Sequence, residues 1–187
     1  MGLTLCDNRI EQAVWLASPN FNSRPDPDDV SLLVIHCISL PPEEFGGSFI
    51  HDFFQNRLDA SAHPYFQTIA ELKVSAHFLI ERDGRLVQFV ECDKRAWHAG
   101  ESSFQGRQGC NDYSLGVELE GCDEQPYSAA QYQTLVALTR CLQVNYPAIS
   151  QRRIVGHSDV APGRKTDPGP AFDWGRYFQM LEGQEWS

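Results

Sequence analysis

"SLLVIH", residues 31–36, is an apolar run of strand length that ends on a histidine. Its consecutive aliphatic side chains leave no polar face. A strand of this kind must be covered on both sides, as in a sheet with helices packed on each face. The next eleven residues hold Pro41, Pro42, Gly46 and Gly47 and read as a loop, so His36 stands at the C-terminal end of the strand.

The neighbouring segments fit the same sheet. Ser114–Glu120, "SLGVELE", alternates: Leu115, Val117 and Leu119 point one way, and Gly116, Glu118 and Glu120 the other. Ile154–Gly156 is a third short strand, followed directly by His157. Val74–Ile80 and Leu86–Val90 flank Asp83-Gly84, which predicts a two-residue hairpin turn. Helices are predicted over Ser48–Leu58, from the face Phe49, Ile50, Phe53 and Phe54, and over Asp173–Leu181, from Trp174, Tyr177, Phe178 and Leu181. Between them, Ser128 and Gln131 form a capping-box pattern ahead of the stripe Tyr132, Leu135, Val136 and Thr139. Strands and helices are interspersed, so the expected class is α/β: a single domain with a central mixed β-sheet of roughly five strands, flanked by helices. Ser18–Asp29 is rich in Pro, Asn, Asp and Ser, which makes residues 1–30 an irregular lead-in packed on a domain spanning 31–187.

A chain of 187 residues with 42% apolar and 21% charged residues is long enough to bury a core and is not disordered in composition. The net charge of -10 disfavours nucleic acid and anionic lipid as partners, because binding phosphate needs lysine and arginine. Met1–Asn20 lacks a signal-peptide pattern and no apolar run approaches a membrane span, so a cytoplasmic, monomeric protein is expected. The six cysteines form no CxxC pair and are expected to be free thiols.

Of six histidines, His36 and His157 stand apart because each ends a strand-like run, where α/β sheets place functional groups. Asp167, held between Thr166 and Pro168, supplies a carboxylate in a stiff loop. Two histidines and a carboxylate, with a fourth position left for water, form a catalytic zinc pattern; the same groups also suit non-haem iron. Hydrolysis would further need a proton acceptor, for which Glu118 and Glu120 compete on the minority face of their strand. It would also need a cation for the developing oxyanion, for which Lys165 is the candidate.

Several segments then resemble a known family: "LLVIHCISLPPEEFGG", "VSAHFLIERDG", "RAWHAG", "CNDYSLGVELEG", "YPAI" and "RKTDPGPAFDW". In this order they are similar to the zinc-dependent type-2 N-acetylmuramoyl-L-alanine amidases. That family shares its fold with peptidoglycan recognition proteins and phage T7 lysozyme. The resemblance runs from about Trp15 to Tyr177. It implies His36, His157 and Asp167 as zinc ligands, Glu118 rather than Glu120 as proton acceptor, and Lys165 as the transition-state-stabilising base. It also implies the substrate: a small muropeptide cut between 1,6-anhydro-N-acetylmuramic acid and L-alanine. Peptidoglycan recycling and an effect on β-lactamase induction come with it. Lys73, Arg95 and Arg107 are candidates for pairing with the peptide's carboxylates, Trp97 for packing on the sugar or peptide, and His77 and His98 for orienting a ligand or the water. Cys37 stands where this family is expected to carry asparagine, and "GHSD" and "APGRK" depart from its usual wording without touching His157 or Lys165. A non-catalytic muropeptide-binding module would lack a ligand or the Glu/Lys pair, and an amidase for intact wall would carry a signal peptide.

Overall fold

In the computed structural model, which describes residues 2–183, six strands build the central sheet. They are β1 (Val14–Trp15), β2 (Leu32–Ile38), β3 (Phe78–Ile80), β4 (Leu86–Gln88), β5 (Ser114–Glu120) and β6 (Ile154–Gly156). Their order is β6-β2-β5-β3-β4-β1. β5 runs parallel to both β2 and β3, β6 runs parallel to β2, and the β3–β4 hairpin is the antiparallel element, so the sheet is mixed as expected. Met1 and 184–187, the outer bounds of the expected segments, lie outside the described residues.

Burial explains the apolar run. Leu33 and Ile35 of β2 pack with Leu115, Val117 and Leu119 of β5 beneath the helix α3 (Ala129–Asn145), against Tyr132, Leu135 and Leu138. On the other face Leu32 and Val34 meet Cys110, Tyr113 and Val160. A third cluster sets Leu79, Val87 and Phe89 against Ile50, Phe53 and Phe54 of α1 (Phe49–Phe54) and Phe66 of α2 (Phe66–Ile69). Each fully buried Leu or Phe contributes about 1.5–3 kcal/mol of transfer free energy. The capping box at Ser128 forms: its Oγ accepts from the Gln131 N–H, and the Gln131 Oε1 accepts from the Ser128 N–H. Gln131 also donates to the carbonyls of Ile80 and Glu120, tying the helix start to β3 and β5. After α4 (His157–Val160), the chain ends its described part in α5 (Trp174–Leu181), capped by Asp173.

Some expectations are corrected. The Glu81 N–H donates to the Arg85 carbonyl, so the hairpin loop is the three residues 82–84, with Gly84 at φ +87° as such loops require. α1 stops at Phe54 rather than Leu58. Asn56 takes a left-handed φ of +57°, while the Asn56 and Arg57 N–H groups turn back onto the Phe53 and Asp52 carbonyls, a Schellman-type stop. The lead-in is not irregular throughout. Besides β1, it holds the ribbon Leu5–Cys6/Arg9–Ile10 and the segment Phe21–Ser23, which pairs with Lys94–Ala96. Arg24 then buries its guanidinium against the carbonyls of Cys92, Asn111, Asp112 and Ser114. Segments of two or three residues are too short to show a period. All six cysteines are free, and no described helix is long and apolar enough to cross a membrane.

Candidate metal centre and active site

His36 and Glu118 are direct cross-strand neighbours in the β2–β5 ladder and share a face of the sheet. β6 places His157 beside them, because Gly156 pairs with Ile35 and the next residue opens α4. Asp167 reaches the same point on a loop fixed from several sides. The Ser158 N–H donates to the Asp167 carbonyl, and the Tyr127 hydroxyl donates to the Pro168 carbonyl. Gly169 lies at φ +79° so close to Asp123 that a Cβ there would sit 2.3 Å from the Asp123 Cα.

The three side chains converge. His36 Nδ1 lies 2.9 Å from His157 Nδ1 and 3.1 Å from Asp167 Oδ2, and His157 Nδ1 lies 3.0 Å from the same oxygen. His157 Nε2 is 3.2 Å from the Ala99 carbonyl oxygen, which only accepts, so this nitrogen carries the proton and Nδ1 is bare. Burial lowers the His36 pKa to about 4 against the opposing pull of Asp167, so this ring is neutral. Three electron-rich atoms at such separations repel unless a cation lies among them. A tetrahedral metal with ligand bonds near 2.0–2.1 Å would ask for edges of about 3.3 Å, close to those found. The donor set therefore fits a metal ion.

Glu118 is 8% exposed, and its Oε2 is buried without a hydrogen-bond partner. Burial raises its pKa well above the ordinary carboxylate value, the Asp167 charge adds to that, and Lys165 opposes it. Glu118, Lys165 and the three converging residues line one cleft of about 550 Å³. Leu40, Phe54, Tyr65, Leu72 and Trp97 give it an apolar wall, and Glu43, Asp123 and Glu124 an acidic rim. Such a mixture suits a ligand with an apolar face and polar ends.

The remaining candidates sort by position. Trp97 lines the cleft, with its indole N–H given to Asn22. Arg107 does not reach it: the guanidinium pairs with Asp29 and lies 3.8 Å over the Tyr113 ring. Arg95 pairs with Asp112. Lys73 is exposed and off the wall, although Leu72 and Val74 beside it are on it. Glu120 serves a different purpose from Glu118: it accepts the N–H groups of Gly46 and Arg82, fastening the 39–47 loop. Cys37 lines the cleft next to His36, packs partly on the main core and gives its thiol to Asp123 at 3.5 Å. His77 lies behind the site, its Nδ1 accepting from the Gly116 N–H, whereas His98 touches His36. Sequence reasoning missed Asn111, which braces the His98 backbone, and the cleft residues Tyr65 and Leu72. The one signal for these two was large apolar side chains in an otherwise polar stretch.

Comparison with known proteins agrees with this geometry. Residues 26–170 match the N-acetylmuramoyl-L-alanine amidase family. The 1,6-anhydro-N-acetylmuramyl-L-alanine amidase AmpD of Citrobacter freundii is 57% identical over 96% of this chain and 95% of its own. A crystal structure of a Se-Met AmpD derivative superposes with a TM-score of 0.92 at 54% identity, covering 95% of this chain and 98% of that one. AmpDh3 from Pseudomonas aeruginosa, solved in complex with anhydromuramic pentapeptide, superposes with a TM-score of 0.61 at 28% identity over 83% of this chain and 61% of that one. On the converging His-His-Asp group, the fold and these matches, the chain belongs to the N-acetylmuramoyl-L-alanine amidase family.

Proposed function

We propose that this amidase uses zinc to hydrolyse the amide between 1,6-anhydro-N-acetylmuramic acid and the L-alanine of a stem peptide. The observation that carries the reading is the buried, unpartnered Glu118 carboxylate, set beside a His36–His157–Asp167 group that suits a divalent ion. His36, His157 and Asp167 would hold the Zn²⁺, and a bound Zn²⁺ supplies Lewis-acid chemistry at the open side of the triad. Glu118 takes a proton from the attacking water, and its raised pKa suits it to keep that proton for the leaving step. Lys165 brings an ammonium to the oxyanion that develops on the lactyl carbonyl. Glu118 then returns the proton to the departing L-alanine nitrogen. The cleft's apolar wall, Trp97 included, packs on the sugar. Lys73, exposed between the wall residues Leu72 and Val74, would meet the carboxylate of a longer peptide.

In this reading the substrate is a wall fragment recovered in the cytoplasm, and its cleavage lowers the muropeptides that induce β-lactamase. The protein acts as a monomer, with 31–187 as the amidase domain and 1–30 packed on it. The test pairs metal content of the purified protein with peptide release from anhydro-muramoyl-tripeptide, with and without chelator. About one zinc per chain and chelator-sensitive cleavage are expected from a three-ligand site. Tight binding of the muropeptide without cleavage would overturn the reading in favour of a binding module.

A further inference from the structure

We infer that one dipeptide, His98–Ala99, sets the ring orientation and tautomer of both metal-binding histidines, and that Asn111 is the positioning residue that holds this dipeptide in place. The inference rests on reading His36, His157 and Asp167 as a metal site.

The two outward nitrogens of the ligand rings end on adjacent residues. His36 Nε2 lies 2.9 Å from His98 Nδ1, and His157 Nε2 lies 3.2 Å from the Ala99 carbonyl oxygen. The backbone between those acceptors is clamped by one side chain. Asn111 is buried, and its Oδ1 accepts from the His98 N–H at 3.2 Å and the Ala99 N–H at 2.8 Å. Arg164 braces the far side by donating to the Ala99 and Glu101 carbonyls, each at 2.6 Å. The His98 ring lies flat on Gly116, where a Cβ would come within 2.5 Å of it, and its Nε2 is 3.1 Å from Ser114 Oγ. Gly116 is therefore a glycine because β5 must make room for this imidazole.

The direction of the hydrogen bonds follows from the acceptors. The Ala99 carbonyl accepts only, so His157 offers Nε2–H and keeps Nδ1 bare. His36 can keep its own Nδ1 bare only by donating Nε2–H to His98 Nδ1. His98 must then carry its proton on Nε2, toward Ser114 Oγ. The opposite His98 tautomer would move the His36 proton to Nδ1, onto the atom facing Asp167 and His157, and close the site to a cation. Partners that orient ligand histidines in this way are worth about 10–100-fold in metal affinity.

The test measures Zn²⁺ dissociation constants by competition with a chromophoric chelator, on the full chain and its variants. His98→Phe, which keeps a ring but no acceptor, is expected to weaken binding about 10–100-fold. His98→Asn, whose amide oxygen takes the place of Nδ1, is expected to recover most of it. Asn111→Asp keeps the accepting oxygen and should bind better than Asn111→Leu. Nitrogen-15 NMR of the unmutated, zinc-loaded protein should find protons on Nε2 of His36, His98 and His157; this result stands even where a variant does not fold. Zn²⁺ binding in His98→Phe equal to the parent's, or a proton on Nδ1 of His98, would overturn the inference. Failure of the parent itself to bind Zn²⁺ would overturn the metal reading beneath it.

Discussion

At Glu118 burial and the Asp167 charge push the carboxyl toward its neutral form, and Lys165 pulls it back. A base with a raised pKa loses activity from the acid side at a higher pH than an ordinary carboxylate would. The acid limb of kcat/KM is therefore expected above pH 4.5, and it should vanish in Glu118→Gln together with about 10²–10⁴-fold of the rate, while metal content stays at the parent's level. Retained turnover in that variant would remove Glu118 from the mechanism. His77 makes a separate prediction, about stability. Burial first, and the Arg24 charge second, lower its pKa from 6.5 to about 3. Its Nδ1 already accepts from the Gly116 N–H, so a second proton has nowhere to go. The unfolded chain binds that proton below pH 6.5 and the folded chain does not, so stability is full above 6.5 and falls as pH drops toward 3. Urea midpoints taken across that window should decline more steeply for the parent than for His77→Phe.

Among the elements, the loop carrying Asp167 is held by shape as much as by hydrogen bonds. Gly169→Ala would place a Cβ 2.3 Å from the Asp123 backbone at a φ of +79°. The substitution is expected to cost about 3 kcal/mol or more, and to weaken metal binding by moving Asp167. Urea unfolding and a chelator titration would read the two effects separately. The elements that were legible in the sequence had many residues to speak for them. Leu32–His36 lacked a polar face, Leu115, Val117 and Leu119 alternated, and Ser128 with Gln131 announced the start of α3. What was not legible was short or decided elsewhere. β1 and the segment Phe21–Ser23 have two and three residues, and their places are set by the strands they meet. The end of α1 depended on Asn56 turning left-handed, and the hairpin loop on Glu81 pairing with Arg85. The alternation of β5 left open whether its polar face met water or a cleft. The answer came from other segments that cover it, among them His98, His157 and Lys165.

Across the whole molecule, the triad joins residues 121 and 131 positions apart. Each member was readable locally, because each sits where an apolar run or a stiff loop stops. Their meeting was a property of the β6-β2-β5 order, which no single segment displays. Charged residues near the motifs gave no such cue, and Arg107 was taken by Asp29. A ligand that binds only the folded chain stabilises it by mass action, so a thousandfold excess of Zn²⁺ over its Kd should add about 4 kcal/mol, visible as a rise in melting temperature that chelator reverses. The edge position of β6 gives that stabilisation a second consequence. Three residues pair it to β2, and His157 follows the last of them. An ion shared by His36 and His157 would rivet this thin outer strand to the centre of the sheet. Without the ion β6 loses that tie, and its peeling would uncover the backbone of Leu33–Ile35, an uncharged, β-prone edge of the kind that templates pairing between chains. Prolonged chelation should thus make the protein turbid as well as inactive, and light scattering followed with chelator and with excess Zn²⁺ should show the rise only in the first.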